Sequence, residues 1–134
     1  MEVQGARRVI LDTDVLIKLI KEKRLSQIFE YIEPHISFIT LYEYLRGLKY
    51  LNKNLEKEKE KIEESLTILW IINDILIKMG EIWFKLRKKG ITIDERNLLI
   101  GTTAIAYNLP LWTLNKRRFA RLEKYGLKFY KSTR

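Results

Sequence analysis

Asp12, Glu43, Asp94, Asn97 and Asn115 are the side chains whose types and spacing could do chemistry in this sequence. Each stands where an extended stretch gives way to a helix or a turn. Carboxylates gathered at one place repel one another by amounts that a cation relieves. With no cysteine and one histidine, His35, the ligands open to a metal are oxygens, which suit Mg²⁺ or Mn²⁺. The chemistry this permits is metal-assisted hydrolysis. Any one of the acids is also explained as a helix cap. Asp12 or Asp14 could cap a first helix and Asp94 a later one, and Thr40-Leu41-Tyr42-Glu43 fits a capping box. The set, not its members, points to a site.

The elements that must position these residues follow from hydrophobic patterning. Val9-Ile10-Leu11 reads as a short buried strand closed by Asp12, after which Val15, Leu16, Leu19 and Ile20 recur at helical spacing. Leu25, Ile28, Phe29 and Ile32 predict a second short helix ended by Glu33-Pro34, and Ile36 to Ile39 a second strand. A third helix runs from Thr40 to about Leu51. Asn52 to Glu64 is a charge run with an apolar stripe, the pattern of a solvated helix. Trp70-Ile71-Ile72 reads as an extended connector, and Ile75, Met79, Ile82, Trp83 and Leu86 mark a further helix stopped at Gly90. These two helices predict an antiparallel pair inserted beside an α/β core. Leu98 to Ala106 is apolar and small enough to be a central buried helix. Leu111-Trp112-Thr113 and Lys128-Phe129-Tyr130 read as final strands, with Trp112 in the core. The expectation is a single α/β domain over residues 1–134, with a short, mostly parallel sheet flanked by helices. In such a sheet the strand-to-helix junctions share one edge, where ligands sit.

Composition narrows the partners. The chain has 134 residues, 46% hydrophobic, long enough for a proper core. Its 26 Lys and Arg against 17 Asp and Glu leave a net charge of +9. That favours an anionic partner, nucleic acid first and a membrane surface second. Disulfides and thiolate metal sites are excluded. The most apolar window, Leu66 to Met79, is too short and too polar to span a bilayer, and the expected location is cytoplasmic.

Four stretches then resemble a known family. Val-Ile-Leu-Asp-Thr-Asp-Val-Leu-Ile from Val9, Ser-Phe-Ile-Thr-Leu-Tyr-Glu-Tyr-Leu-Arg-Gly from Ser37, Asn-Leu-Leu-Ile-Gly-Thr-Thr-Ala-Ile-Ala from Asn97 and Trp-Thr-Leu-Asn-Lys-Arg-Arg-Phe from Trp112 look like the successive motifs of a PIN domain. The subgroup most similar is the VapC-type toxin ribonuclease. The resemblance implies a Mg²⁺-dependent endoribonuclease acting on single-stranded RNA, with a small antitoxin partner. Tyr42, Tyr44, Leu45, Leu48, Leu51 and the helix beginning near Leu55 offer more apolar surface than one small sheet needs, which predicts a homodimer through these early helices, as is common for the family. By position Asp12 matches the family's first acid and Glu43 its second. Asn97 stands where the third acid is expected, and Asp94 lies one turn upstream. Asn115 takes the fourth polar position, and Thr113 matches a structural threonine. On this reading Asp12, Asp94 and Asn97 hold the metal, Glu43 orients water, and Lys116, Arg117, Arg118 and Arg121 hold flanking phosphates. That basic turn has a plainer explanation as a solubilising surface. The two asparagines leave open an alternative, a catalytically weakened PIN-fold module that binds RNA or protein. A response-regulator receiver is disfavoured because the stretch from Ile36 to Thr40 ends without the aspartate it needs.

Overall fold

A computed structural model describes residues 7–131 of the chain. Four parallel strands, β1 (Arg7–Leu11), β2 (Ile32–Ser37), β3 (Thr67–Leu69) and β4 (Leu111–Trp112), form one sheet in the order β3-β2-β1-β4. Among the described residues six α-helices connect or flank them: α1 (Thr13–Lys21), α2 (Leu25–Ile28), α3 (Phe38–Lys49), α4 (Leu55–Ser65), α5 (Asn73–Lys88) and α6 (Glu95–Tyr107). After β4 come two short 3₁₀ segments, Lys116–Arg118 and Ala120–Tyr125. The expected α/β architecture, a parallel sheet flanked by helices, is what forms. Among the described residues no helix is long and apolar enough to cross a membrane.

Alternation along β1 explains why both sheet faces are covered. Val9 and Leu11 join one apolar cluster with Val15, Leu16 and Leu19 of α1 and Leu41 of α3. Ile10, between them, joins the other cluster with Ile82 and Leu86 of α5 and Leu98, Ile100 and Ala104 of α6. Successive strand residues point to opposite faces, so a strand buried on both sides reads as a continuous apolar run. The chain steps from β1 to β2 to β3 in one direction, then returns through α5 and α6 to lay β4 on the far side of β1. The order therefore reverses beside β1, and a cleft for a ligand belongs at the carboxyl ends of β1 and β4.

Several sequence expectations are corrected. Pro34 does not end a helix; it lies within β2, opposite Val9. β3 pairs only with His35, Ile36 and Ser37, so at Pro34 the strand is a sheet edge, where a missing N–H is tolerated. The two helices from Leu55 to Lys88 are not an antiparallel pair. β3 separates them, α4 packs on α3, and α5 packs on α6. The short apolar run Thr67-Ile68-Leu69 completes the sheet edge, so each helix goes to a different face. The last expected strand reduces to one bridge between Phe129 and Leu111. Trp70, Ile71 and Ile72 do form an exposed connector, with the Trp70 ring stacked on Phe38 at 6.2 Å. Trp112 packs into the core against Tyr130, ring centroids 5.1 Å apart.

α6 is the helix that fits the sheet most closely, with every residue from Asn97 to Ala104 buried. A methyl group at Gly101 would run into Leu122 Cδ1 and meet Phe119 Cδ1 at 3.8 Å. Both neighbours are fully buried. Alanine gains roughly 1 kcal/mol over glycine within a helix, whereas overpacking a tight core costs about 1–3 kcal/mol. Gly101→Ala should therefore destabilise the protein by about 1 kcal/mol in urea unfolding. A stabilised variant would show that α6 has slack against the 3₁₀ segment.

Candidate active site

Asp12 follows the last residue of β1 and caps α1. Its extended backbone, φ −71° and ψ 158°, turns the carboxylate back so that Oδ1 accepts from Thr13 N at 2.8 Å. Capping and function are thus compatible here. Oδ2 accepts from the Thr113 hydroxyl at 2.9 Å, and Thr113 Oγ1 in turn accepts from Asn115 N at 3.1 Å. Asp12 is completely buried, at the point where β1 and β4 end side by side.

Glu43 does not form the expected capping box. α3 begins at Phe38 and is capped by Ser37, whose Oγ accepts from Ile39 N at 3.2 Å. That leaves Glu43 on the second turn, free to reach across to α1. Its Oε1 accepts from the Thr13 hydroxyl at 2.5 Å, and that hydroxyl lies 3.0 Å from the hydroxyl of Thr40.

The group that joins these acids is Arg96, on the first turn of α6. Nε donates to Glu43 Oε2 at 2.7 Å, Nη1 to Asn97 Oδ1 at 2.8 Å, and Nη2 to Asp12 Oδ1 at 2.8 Å and Thr13 Oγ1 at 3.0 Å. Oxygens from three separate segments thus converge on one guanidinium. Burial pulls the Arg96 pKa down, but its bonds to Glu43 and Asp12 and their charges prevail and raise it above the ordinary value. Burial likewise pushes the Glu43 carboxyl up, yet the bonds from Arg96 and Thr13 and the charge of Arg96 hold it below the usual carboxylate range. A depressed folded value stabilises the protein above the ordinary pKa of 4.5, and that contribution is lost as pH falls through the folded value. Acid titration of unfolding should therefore show stability declining below about pH 4.5, and a shallower decline in Glu43→Gln. Identical profiles would break the link to Glu43.

Of the expected site residues, Asp12, Glu43 and Asn97 are brought together. Asn115 is tied to them through Thr113. Asp94 is exposed and caps α6, its Oδ1 accepting from Arg96 N at 2.9 Å; its described contacts do not join it to Asp12 or Glu43. Lys116, Arg117 and Arg118 are exposed on the first 3₁₀ turn, anchored by buried Phe119, and Lys116 Nζ sits 5.7 Å from the Phe129 ring centre. Arg121 is exposed too, but its Nη1 is fixed to Thr92 O at 3.0 Å. Arg96 and Thr13 were not expected at the centre. The available signal was a cation placed between Asp94 and Asn97 at the start of an otherwise apolar helix.

Among the described residues no three acidic or histidine side chains come together as a metal-binding group. Two carboxylates and one amide oxygen converge instead on the Arg96 guanidinium. Their convergence on a cationic group, and their hard-oxygen chemistry, fit a divalent ion such as Mg²⁺ or Mn²⁺.

The sequence pattern of the PIN domain family matches residues 9–125. The chain belongs to the PIN domain family. This PIN domain is 37% identical over 127 residues to Ribonuclease VapC1 of Methanocaldococcus jannaschii, covering 92% of the present chain and 87% of that protein. It is 31% identical over 125 residues to Ribonuclease VapC of Rickettsia bellii, covering 85% and 90% of the two chains. In three dimensions it is similar to VapBC-1 from nontypeable Haemophilus influenzae, with a TM-score of 0.73, 27% identity and coverage of 95% and 99%. VapBC2 from Rickettsia felis, solved with a DNA fragment from its promoter, superposes with a TM-score of 0.71, 26% identity and coverage of 92% and 99%. The family match spans all four of the stretches that carry the resemblance; Asp12 stands at the end of β1, and Glu43 on the second turn of α3.

Proposed function

We propose that this PIN domain is a divalent-metal-dependent endoribonuclease that cleaves single-stranded RNA, the toxin of a toxin–antitoxin pair. The observation that carries the reading is the meeting of Asp12, Glu43 and Asn97 at the switch point of a chain related to VapC ribonucleases. Asp12 and Asn97, with Asp94 nearby at the helix start, would hold Mg²⁺ or Mn²⁺. When bound, the ion supplies positive charge against the negative charge that develops on the phosphate during hydrolysis. Glu43, ionised because its pKa is held low, orients the attacking water. Lys116, Arg117, Arg118 and Arg121 hold flanking phosphates as a salt-sensitive electrostatic rim.

A second reading, a catalytically weakened module that binds RNA or protein, is favoured by Asn97, which stands where the family's third acid is expected, and by Asn115, since an amide attracts a cation far less than a carboxylate. End-labelled single-stranded RNA incubated with the protein in Mn²⁺ or in EDTA separates the two. Cleavage that EDTA abolishes supports the enzyme; binding without cleavage in either condition supports the module.

The solved VapBC relatives support a small antitoxin as the partner. We also propose a homodimer through α3 and α4. Tyr42, Tyr50 and Leu51 on that side are 53%, 90% and 67% exposed, more apolar surface than an isolated monomer gains by showing. Light scattering should report twice the chain mass at high micromolar concentration; a monomer there would rule the dimer out.

A further inference from the structure

Arg96 is the charged group of the centre that the reaction described above leaves without a task. Its guanidinium occupies the oxygens on which that reaction depends: Glu43 Oε2 at 2.7 Å, and Asn97 Oδ1 and Asp12 Oδ1 at 2.8 Å each. A divalent cation drawn to the same oxygens would meet a like charge already among them, and the two repel. We propose that Arg96 is an internal counter-cation that competes with the divalent metal for Asp12, Glu43 and Asn97, so that metal enters only as the guanidinium leaves. This inference rests on the reading of the centre as a metal site.

The surroundings are built for such an exchange. The Arg96 side chain is 21% exposed, whereas Asp12 beneath it is fully buried. The Arg96 backbone is held by the first turn of α6, with its N–H on Asp94 Oδ1, so a change of side-chain rotamer releases the guanidinium without unwinding the helix. Once it leaves, Asp12 keeps Thr13 N and the Thr113 hydroxyl, and Glu43 keeps the Thr13 hydroxyl. The ligands stay aimed. Charge sets the direction of the exchange. Two carboxylates facing one guanidinium retain a net negative charge, while a divalent ion neutralises both. Opposing this are four bonds from the guanidinium, two of them to ionised oxygens, that must break before it leaves. Metal affinity is then governed by Arg96 as much as by the ligands.

The test is Mn²⁺ binding, measured by calorimetry on the full chain without RNA, for wild type, Arg96→Gln and Arg96→Lys. With no charge-assisted guanidinium bonds left for the metal to break, Mn²⁺ should bind about tenfold or more tightly in Arg96→Gln. Arg96→Lys keeps the charge but not the fork that bridges three oxygens, so its affinity should fall between the other two. A purely structural role would lower metal-free stability in both variants without tightening Mn²⁺. Equal or weaker binding in the variants overturns the competition, as does an absence of binding in all three proteins. Should Arg96→Gln fail to fold, Arg96→Lys carries the same comparison. Because no RNA is present, a chain that exchanges Arg96 for Mn²⁺ yet cuts no RNA would sink the ribonuclease reading and leave this one standing.

Discussion

Asp12→Ala is expected to produce the largest loss of both stability and activity. The carboxylate is completely buried and answers three groups at once: the Arg96 guanidinium, the first N–H of α1 and the Thr113 hydroxyl. Removing one partner of a buried ion pair costs about 3–5 kcal/mol, because the other charge is left behind. Arg96 retains Glu43 and Asn97, so the lower end applies, about 3 kcal/mol. Asp12→Asn keeps an oxygen to cap α1 and an amide that can pair with Thr113, and should lose about half as much. Urea unfolding of the two variants checks the order. An alanine variant as stable as wild type would mean that the charge of Asp12 is not held by Arg96.

Asn97→Asp should have the next largest effect, and in the opposite direction. The amide oxygen faces Arg96 Nη1 at 2.8 Å, within the group that would take the metal. The substitution adds a full negative charge with almost no change in volume. A unit charge about 4 Å from a cation gains roughly 4 kcal/mol of raw attraction at an effective dielectric near 20. Desolvation and repulsion from Asp12 leave about a quarter of that, equivalent to about tenfold in Mn²⁺ affinity. The added charge also strengthens the hold on Arg96, but a divalent ion gains twice what a guanidinium does from the same charge. Mn²⁺ should therefore bind more tightly and raise the melting temperature further than in wild type. Asp94→Asn preserves the cap on α6, since asparagine caps as well as aspartate. Any fall in Mn²⁺ affinity in that variant reports the charge of Asp94 alone.

Where sequence could and could not foresee this centre follows from the range of each interaction. Asp12 was legible because a strand that breaks into a helix on an acidic residue is a local event. The junctions of the later motifs were legible for the same reason, and parallel topology then put them on one edge. Glu43 does reach Thr13 and Arg96, but its local explanation fails: a capping box at Thr40 needs the helix to start there, and Ser37 starts it three residues earlier. Arg96 was invisible. Its partners lie 53 and 84 residues away, and an arginine beside acids at a helix start reads locally as solvated charge. Pro34 misled because a proline is tolerated in a strand only where a neighbour is missing, which depends on where β3 begins. The helical pair failed similarly, since Thr67-Ile68-Leu69 is too short to announce itself as a strand without the edge it completes.

The most direct test is the rate of single-stranded RNA cleavage in Mn²⁺ by wild type, Asp12→Asn and Glu43→Gln, each shown to be folded by its melting transition. Both substitutions are nearly isosteric and remove one charge from the centre. Transition-state stabilisation of several kcal/mol should then be lost, a fall of roughly a hundredfold or more in cleavage rate for either variant. Cleavage at the wild-type rate by both folded variants would contradict the assignment of Asp12 and Glu43 to an active site.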